Sequence, residues 1–410
     1  MANGSAATAP VEIWRRIFEH AFDHPKLHYS CDPKHLNQFM SNYSGHGDDC
    51  ETVYRSIRAV CRSWKALAEE FIHREALLRI RSLNSKCLHL SRASRLQCHW
   101  YSELPPGSFR HWLSEATPKL TVLDITFHVD GEPGKLLSDT LSAASSLPSI
   151  RSLRLRWRGR NLPHLSSQIS IGFTNLVSLE VGMLTWPLQP LLLPKLEILI
   201  MEIWESYSVQ GEPDLARWSL PALQMLGVHH HSQEFKLGVF RPIATRVEAL
   251  SIIYSGSRYL NSFMRKKLSM SLFENFPTLR LLFIRDAPFI VNDPVPIGHP
   301  LTEIHLSNSG ATDLVSLLEF TRFDHGCFDH KVQFMVDSAT WKDIRAKFPS
   351  DQGPQLLVDH HRSLNLVVVD KLGRSFEEYT REKDIKSEFP LINTILRRVL
   401  TARRPEGPIQ

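Results

Sequence analysis

The sequence predicts an α/β chain with a helical N-terminal module, a long repeat solenoid of short strands and a helical C-terminal end. Three observations favour this fold class: two apolar stripes with helical spacing near the start, a leucine phrase that recurs through the middle, and a capped, charged segment after Ser375. The expected domains are a disordered tail at 1–9, a helical domain at 10–80, the solenoid at 81–372, and a C-terminal helical cap and tail at 373–410.

The first apolar stripe begins at Pro10, which suits the first helical position because the missing N–H is not needed there. The residues that follow on one face of a 3.6-residue period are Ile13, Trp14, Ile17 and Phe18. The second stripe has the same period and contains Ile57, Val60, Cys61, Trp64 and Leu67. Two such helices bury little surface alone, so they require a partner or a neighbouring domain.

The residue pattern of these two stripes resembles that of an F-box, the adaptor-binding module of cullin–RING ubiquitin ligases. Pro-x-Glu-Ile-x-x-x-Ile-Phe starts at Pro10, and Val-Cys-Arg-x-Trp-x-x-Leu-Ala starts at Val60. The pattern is most similar to F-box-like proteins of filamentous and mushroom-forming fungi. It departs from the family at Ala9, where Leu is usual, and in the polar insertion at 25–52 that separates its halves.

The resemblance implies an adaptor-binding and packing surface formed by both helices. Its residues would be Pro10, Ile13, Trp14, Ile17, Phe18, Val60, Cys61 and Trp64. The alternative is that the helical pair packs against the downstream domain of its own chain, because stripes at helical spacing are often internal core.

A phrase of the form Pro-x-Leu-x-x-Leu-x-Leu recurs eight times, with drift, between residues 118 and 306. The steps between successive central residues are 30, 26, 20, 27, 24, 32 and 22, close to the period of about 20–29 residues of a leucine-rich repeat. The Leu-x-Leu pair indicates a strand whose alternate side chains point into the solenoid. Stacked repeats bury an apolar face that one repeat cannot bury alone. The central residues are Leu123, Leu153, Leu179, Leu199, Leu226, Leu250, Leu282 and Ile304.

Two further strands, at 332–336 and 364–369, are expected to close the array. Beyond them, Ser375 and Glu378 match a capping box at the start of a helix over 375–386. Pro390 is expected to open a second helix over 391–401, and both helices would cap the end of the solenoid. The alternative to a solenoid is a leucine-rich α/β protein in which the phrasing is coincidental.

One repeat strand carries arginines at alternate positions, Arg154, Arg156 and Arg158. Period-two geometry places all three on one face, with Glu180 as a lateral neighbour on the next strand. Guanidinium groups grip carboxylates and phosphates in bidentate fashion, so these four residues are a hypothetical binding site for an acidic or phosphorylated segment of a target. The alternative is that the arginines pair with Glu180 and keep the face solvated.

Composition sets limits on the function. The 48 basic and 43 acidic residues give a net charge of +5, which is too mild to indicate a nucleic-acid partner. The first residues do not have the pattern of a secretory signal, and no apolar stretch is suited to a bilayer, so neither secretion nor a membrane span is expected. The six cysteines form no Cys-x-x-Cys pair, which favours a reduced compartment, cytoplasmic or nuclear. No motif for catalysis, metal or cofactor binding stands out, so the chain is not expected to be an enzyme.

These observations and the resemblance together predict the substrate-recognition subunit of an SCF-type cullin–RING ubiquitin ligase. Its expected partners are the Skp adaptor, the cullin scaffold and a protein substrate that the sequence does not name, with no membrane or nucleic acid. The alternative function is a leucine-rich-repeat interaction scaffold without ligase activity.

Overall fold

In the computed structural model, the residues described are 11–22, 64–67, 75–80, 93–100, 113, 120–128, 134–145, 147–157, 165–184, 190–203, 215–230, 237–254, 268–286, 289–307, 322–323, 328–348 and 352–388. Their strands are β1 (Glu75–Ile80), β2 (Arg95–Trp100), β3 (Val122–Phe127), β4 (Ser152–Arg156), β5 (Ser178–Leu184), β6 (Ile198–Ile203), β7 (Met225–His230), β8 (Ala249–Tyr254), β9 (Leu268–Met270), β10 (Leu281–Arg285), β11 (Phe289–Val291), β12 (Glu303–Ser307), β13 (Arg322–Phe323), β14 (Val332–Val336) and β15 (Leu366–Asp370).

The α-helices in the same ranges are α1 (Val11–Phe22), α2 (Gly134–Ala144), α3 (Leu165–Gly172), α4 (Trp341–Arg345), α5 (Gly353–Ser363) and α6 (Phe376–Glu388). Residues 64–67 are also helical. Two 3₁₀ segments, Leu215–Arg217 and Leu237–Ile243, lie between later strands.

Twelve of these strands form one main sheet, and their order in the sheet is their order in the sequence once β9, β11 and β13 are set aside. Every neighbouring pair in the main sheet runs parallel. Parallel neighbours require the chain to cross back between strands, and α2 and α3 lie in two of these crossovers. The α/β class is therefore confirmed as a mixed fold built on a large parallel sheet.

The strands expected from the leucine phrase are all present as β3–β8, β10 and β12, and β14 and β15 follow as expected. The central residue of each strand lies directly opposite that of the next, from Leu123 on β3 to Ile304 on β12. This column continues to Leu96 at one end and to Phe334 and Val368 at the other. Its members are at most 3% exposed, so one row of apolar side chains runs through the whole core.

The face of the main sheet that carries this column is called here the core face. The helices and 3₁₀ segments contribute to the same buried cluster, with Leu141 from α2, Ile169 from α3 and Phe240 from the second 3₁₀ segment. The opposite face is called the second face, and it carries the residues that alternate with the leucines.

The C-terminal end is fastened by capping hydrogen bonds. Ser375 Oγ accepts from the Glu378 N–H at 3.2 Å, and the Glu378 carboxylate accepts from the Ser375 N–H at 2.7 Å. The predicted capping box is therefore confirmed, and α6 begins where it was expected. Buried Asp370 accepts from the N–H groups of Trp341, Leu372 and Arg374 at 3.2, 2.9 and 3.1 Å, which joins the last strand to α4 and to the turn before α6.

Three features of the sheet were not anticipated. Strand β1 lies inside 10–80, so the main sheet begins within the segment predicted as a helical domain. Strand β2 precedes the first leucine phrase, and Cys98 and Trp100 stand at its inward positions in place of leucine. Strands β9, β11 and β13 form a separate parallel sheet and are too short to carry a periodic signal. The tail 1–9 and the predicted helix at 391–401 lie outside the described residues.

Candidate interaction surfaces

Helix α1 presents an apolar edge at the surface. Val11 is 55% exposed and Ile13 is 48% exposed, whereas Trp14 and Arg15 are half-buried. Glu12 lies in the first turn, where the helix dipole favours an anion. The helix therefore turns Trp14 towards protein and leaves Val11 and Ile13 available for contact.

Trp14 packs against Trp64, which belongs to the helical residues 64–67. The ring centroids are 4.4 Å apart and the rings are inclined by 55°, within the range of favourable aromatic pairs. Leu67, one turn later, is buried. The structure thus brings together one residue from each half of the F-box-like signature, although the insertion at 25–52 lies between them in sequence.

The other residues predicted for the adaptor surface are less completely described. Ile17 and Phe18 belong to α1, but their side chains lie outside the described residues. Pro10, Val60, Cys61 and the insertion at 25–52 lie outside them altogether. Ile13, Trp14 and Trp64 are the predicted adaptor residues whose surroundings the structure defines.

A buried ion pair between β2 and β3 lies on the second face of the main sheet. Arg95 Nε donates to Asp124 Oδ2 at 3.0 Å, and Arg95 Nη2 makes a second bond to the same oxygen. Burial raises the pKa of Asp124, but the charges of Arg95, Arg154 and Arg156 and the Arg95 hydrogen bond together lower it below its usual value. Asp124 is therefore ionised at neutral pH, and the pair is a charged contact between neighbouring strands.

On β4 and β5 the structure joins three of the residues predicted to bind a target. Arg154 Nε bonds Glu180 Oε2, while Arg156 Nε and Nη2 hold Glu180 Oε1 at 3.0 and 2.9 Å. The Glu180 side chain is 1% exposed and that of Arg156 is 28% exposed. An anionic ligand at this place would share the arginines with Glu180. Arg158 lies outside the described residues.

The next strands give the second face a different character. Seven residues form an apolar patch, and none of them is more than 8% exposed. They are Ile198, Ile200, Met225, Ala249, Ile253, Leu281 and Phe283. These residues form a cluster separate from the main core, which agrees with their alternation with the leucine column along the strands.

Beyond the apolar patch, His305 on β12 lies between two carboxylates. Its Nδ1 is 3.1 and 3.2 Å from the Asp337 carboxylate oxygens, and its Nε2 is 3.1 Å from Glu303 Oε2. Burial lowers the pKa of His305, but the hydrogen bonds and charges of Asp337 and Glu303 outweigh it and raise the pKa above its usual value. Only the imidazolium donates from both nitrogens, so the charged ring is the form that fits.

Two histidines, one on β2 and one directly after β3, were not singled out from the sequence. His99 Nδ1 lies 3.1 Å from His128 Nε2, and the two rings are nearly parallel. The pairing of Arg95 with Asp124 and that of His305 with Asp337 were likewise not anticipated from the sequence. Period-two alternation predicts which face of the sheet each of these residues occupies. Predicting which residues pair also requires the register between strands, and the sequence does not give the register because the connecting loops differ in length.

Within the described ranges, no group of three or more His, Cys, Asp or Glu side chains is arranged to hold a metal ion. Among the helices that the structure describes, none is long and apolar enough to cross a membrane. No model of a known protein family matches the chain, and the search of curated proteins found no relative of it.

Proposed function

We propose that this chain is the substrate-recognition subunit of an SCF-type cullin–RING ubiquitin ligase. In this proposal the F-box-like helices dock on the Skp adaptor, which connects them to the cullin scaffold, and a leucine-rich-repeat solenoid holds the target protein. The chain contributes positioning, and the ligase machinery to which it binds contributes the chemistry.

The observation that carries the proposal is the contact between Trp14 and Trp64, with ring centroids 4.4 Å apart. The contact joins one residue from each signature half, and this supports the proposal because an adaptor-binding module would need both halves in one helical unit. Ile13 lies 48% exposed beside this contact, and exposed apolar side chains on a small helical unit are typical of docking surfaces. The tryptophan pair would hold the unit together while Val11 and Ile13 meet the adaptor.

A solenoid of leucine-rich repeats is supported by strand order and register. The main sheet places its strands in sequence order, and its central leucines are opposite one another across every pair from β3 to β12. Repeats that contact only their neighbours in sequence produce this arrangement. Such an array offers a long, open surface that suits the recognition of a folded or extended protein target.

The adaptor interaction can be tested by co-expressing the full chain with the Skp adaptor and measuring the dissociation constant. Ile13→Glu places a charge on the proposed docking surface, and we expect at least about tenfold weaker binding because interface centres tolerate no unpaired charge. Ile171→Glu is the matched control, since Ile171 is 81% exposed on α3. It should leave adaptor binding unchanged.

Two results would count against the proposal. Equal adaptor binding by the Ile13→Glu and Ile171→Glu variants would remove α1 from the interface. An unmodified chain that folds but does not bind the adaptor at micromolar concentration would favour the interaction scaffold without ligase activity.

Trp64→Phe should retain adaptor binding and Trp64→Ala should weaken it, because Phe preserves an aromatic contact with Trp14.

The proposed target surface includes Arg154, Arg156, Arg158 and Glu180. Glu180 already binds two of these arginines, so a target carboxylate or phosphate would join an existing ion-pair network. We expect an array of acidic and phosphorylated peptides to show binding that the double variant Arg154→Gln, Arg156→Gln reduces at least about tenfold. Arg280→Gln, at an exposed position, is the control. Equal binding by the double variant and the control would remove the arginines from target recognition.

A further inference from the structure

The apolar patch on β6, β7, β8 and β10 is buried although it lies on the second face. All seven of its residues belong to strands, and none is more than 8% exposed. They form a cluster separate from the one to which the described helices contribute. Met335 on β14 stands on the same face and is half-buried, whereas Met225 of the patch is 3% exposed. The strands by themselves therefore do not account for the burial, and a further segment of protein covers the patch.

The patch has the shape of a shallow trough across four neighbouring strands. One row of opposed residues crosses all four strands, and its members are Ile198, Met225, Ala249 and Leu281. The next row has a large residue at each end, Ile200 on β6 and Phe283 on β10. Between them stand Gly227 and Ser251, which are buried but too small to fill the space. Because protein interiors are packed without large voids, an apolar side chain of the covering segment is expected in this trough.

Residues 391–401, for which the sequence predicts a helix, have the chemistry and the length of such a cover. Six aliphatic residues recur there at helical spacing and would share one face, and they are Leu391, Ile392, Ile395, Leu396, Val399 and Leu400. A helix over this range would be about 16 Å long. Four strands spaced about 4.8 Å apart span about 14 Å from the first to the last. The helix would therefore cross the whole patch.

The segment is also within reach of the patch. It follows α6 after Phe389 and Pro390, and α6 begins beside the edge of β15, where Ser375 forms a bridge with Val369. Strand β15 is four positions from β8 in the main sheet, which corresponds to about 19 Å. The 13 residues of α6 extend about 20 Å. A helix of that length can bring the segment from the edge of the sheet to the patch.

The charge at one border of the patch complements this segment. The segment and the residues after it carry four basic side chains, Arg397, Arg398, Arg403 and Arg404, and no acidic residue occurs between 389 and 405. On β12, Glu303 and His305 lie directly opposite two patch residues of β10. With Asp337, they place two carboxylates and one imidazole at this border. The border is therefore negative at neutral pH whether or not the ring is protonated, which favours an orientation with the arginines towards β12.

We propose that residues 391–401 form an amphipathic helix that packs on the apolar patch of their own chain. Its aliphatic face fills the trough at Gly227 and Ser251, and its arginines lie beside Glu303 and Asp337. A protein that binds the middle of the second face has to displace this helix, so the contact is autoinhibitory. It exists whether or not the chain binds the Skp adaptor.

Methionine oxidation in the full chain tests this contact, because Met225 belongs to the patch and Met201 to the core face. Met225 is 3% exposed and Met201 is fully buried. Peroxide oxidises accessible methionines, and mass spectrometry measures the extent at each one. In the unmodified chain both should react slowly and the half-buried Met335 faster. Ile392→Glu with Val399→Glu places two charges on the aliphatic face and should speed the oxidation of Met225 at least about tenfold, while Met201 stays protected.

Thr394→Glu with Thr401→Glu is the matched control, since it adds the same charges to the opposite face of the helix. It should leave Met225 protected. Equal protection of Met225 in both double variants would overturn the proposal, because something other than the aliphatic face of 391–401 would then bury the patch. Protection that is lost when the unmodified chain is diluted would assign the cover to a second copy of the chain, which also contradicts the proposal.

A second measurement applies if Met201 becomes reactive as well, since that result would mean that the variant has unfolded. The unmodified chain with labelled methyl groups is then studied by NMR. Nuclear Overhauser contacts are expected between the methyl group of Met225 and those of Ile392 or Ile395. A spectrum in which Met225 lacks these contacts would overturn the proposal.

Discussion

The two faces of the main sheet follow different rules. On the core face the leucine column repeats the same kind of side chain on every strand, from Leu96 to Val368. On the second face the character changes along the sheet: ion pairs on β2–β5, the apolar patch on β6–β10, and the His305 cluster on β12. The core face therefore determines how the strands stack. The type of side chain on the second face can then differ from strand to strand.

The physical reason lies in what each face must satisfy. A core position must match the volume of its neighbours on both adjacent strands, because protein interiors are packed to crystal density. A second-face position must satisfy its charge or hydrogen bonds with whichever residue the register brings beside it. Substitutions on each face test whether the two faces differ in this way.

The largest effect is expected on the core face. Leu199→Ala removes a fully buried member of the leucine column and should lower the free energy of unfolding by about 3–5 kcal/mol, measured by urea denaturation. Leu192→Ala is the matched control, because Leu192 is nearby in sequence and 53% exposed. The control should change stability by less than about 0.5 kcal/mol. Similar losses for both variants would contradict the idea that this column organises the core.

A histidine on the core side should make the fold sensitive to acid. His361 on α5 packs beside Phe334 of the leucine column, and burial lowers its pKa to about 4 despite its hydrogen bond to the Leu357 carbonyl oxygen. The unfolded chain therefore binds this proton at higher pH than the folded chain. The contribution of neutral His361 to the free energy of unfolding is fully present above about pH 6.5. It is lost as the pH falls towards 4, and the loss amounts to roughly 3 kcal/mol.

The acid effect is measured by thermal or urea unfolding between pH 7.5 and 4. His361→Leu should flatten the decline in stability relative to the unmodified chain, whereas His360→Leu, at the neighbouring exposed position, should leave it in place. A decline that is identical in all three proteins would show that His361 is protonated without cost.

An intermediate effect is expected from the ion pairs on the second face. Glu180→Gln leaves Arg154 and Arg156 without the carboxylate that they share. Breaking a buried pair typically costs 3–5 kcal/mol, and we expect about 2 kcal/mol here because Arg156 is partly exposed. Glu248→Gln removes an exposed partner of Arg280 and should cost less than about 0.5 kcal/mol in the same urea assay. No difference between the two variants would mean that solvent screens the Glu180 pairs.

The smallest effect should have the opposite pH sign to that of His361. The pKa of His305 is raised, so its contribution is fully present below the pKa of the unfolded chain and is lost as the pH rises through the folded value. Asp337 and Glu303 raise this pKa despite the burial of the ring, and Arg285, the last residue of β10, pairs with Asp286. We expect a loss on the order of 1 kcal/mol, the usual worth of one hydrogen bond.

His305→Gln should remove this alkaline loss in unfolding measurements between pH 6 and 9, and NMR titration of the His305 ring should report a pKa above the ordinary histidine value of about 6.5. An unshifted His305 titration, or a stability curve that the variant does not alter, would show that the two carboxylates do not stabilise the charged ring.

The sequence anticipated the strands that carry the leucine phrase because spacing and alternation are local properties. Leu153, Leu155 and their counterparts specify a short strand whichever strands lie beside it, and Ser375 with Glu378 specifies the start of α6 within one turn. Strands β1 and β2 were not anticipated, because their positions in the sheet depend on pairing and Cys98 and Trp100 stand where the phrase has leucine.

The sequence by itself determined the α/β class, the succession of strands that carry the leucine phrase, and the composition of the core face. Only the tertiary structure decided which residues meet on the second face, namely Arg95 with Asp124, Glu180 with two arginines, and His99 with His128. It also decided that Trp14 meets Trp64 between two helical segments that are far apart in sequence. These contacts depend on the register between strands and on the packing of separated helices. Because connections of unequal length bring the partners together, no fixed spacing in the sequence identifies them.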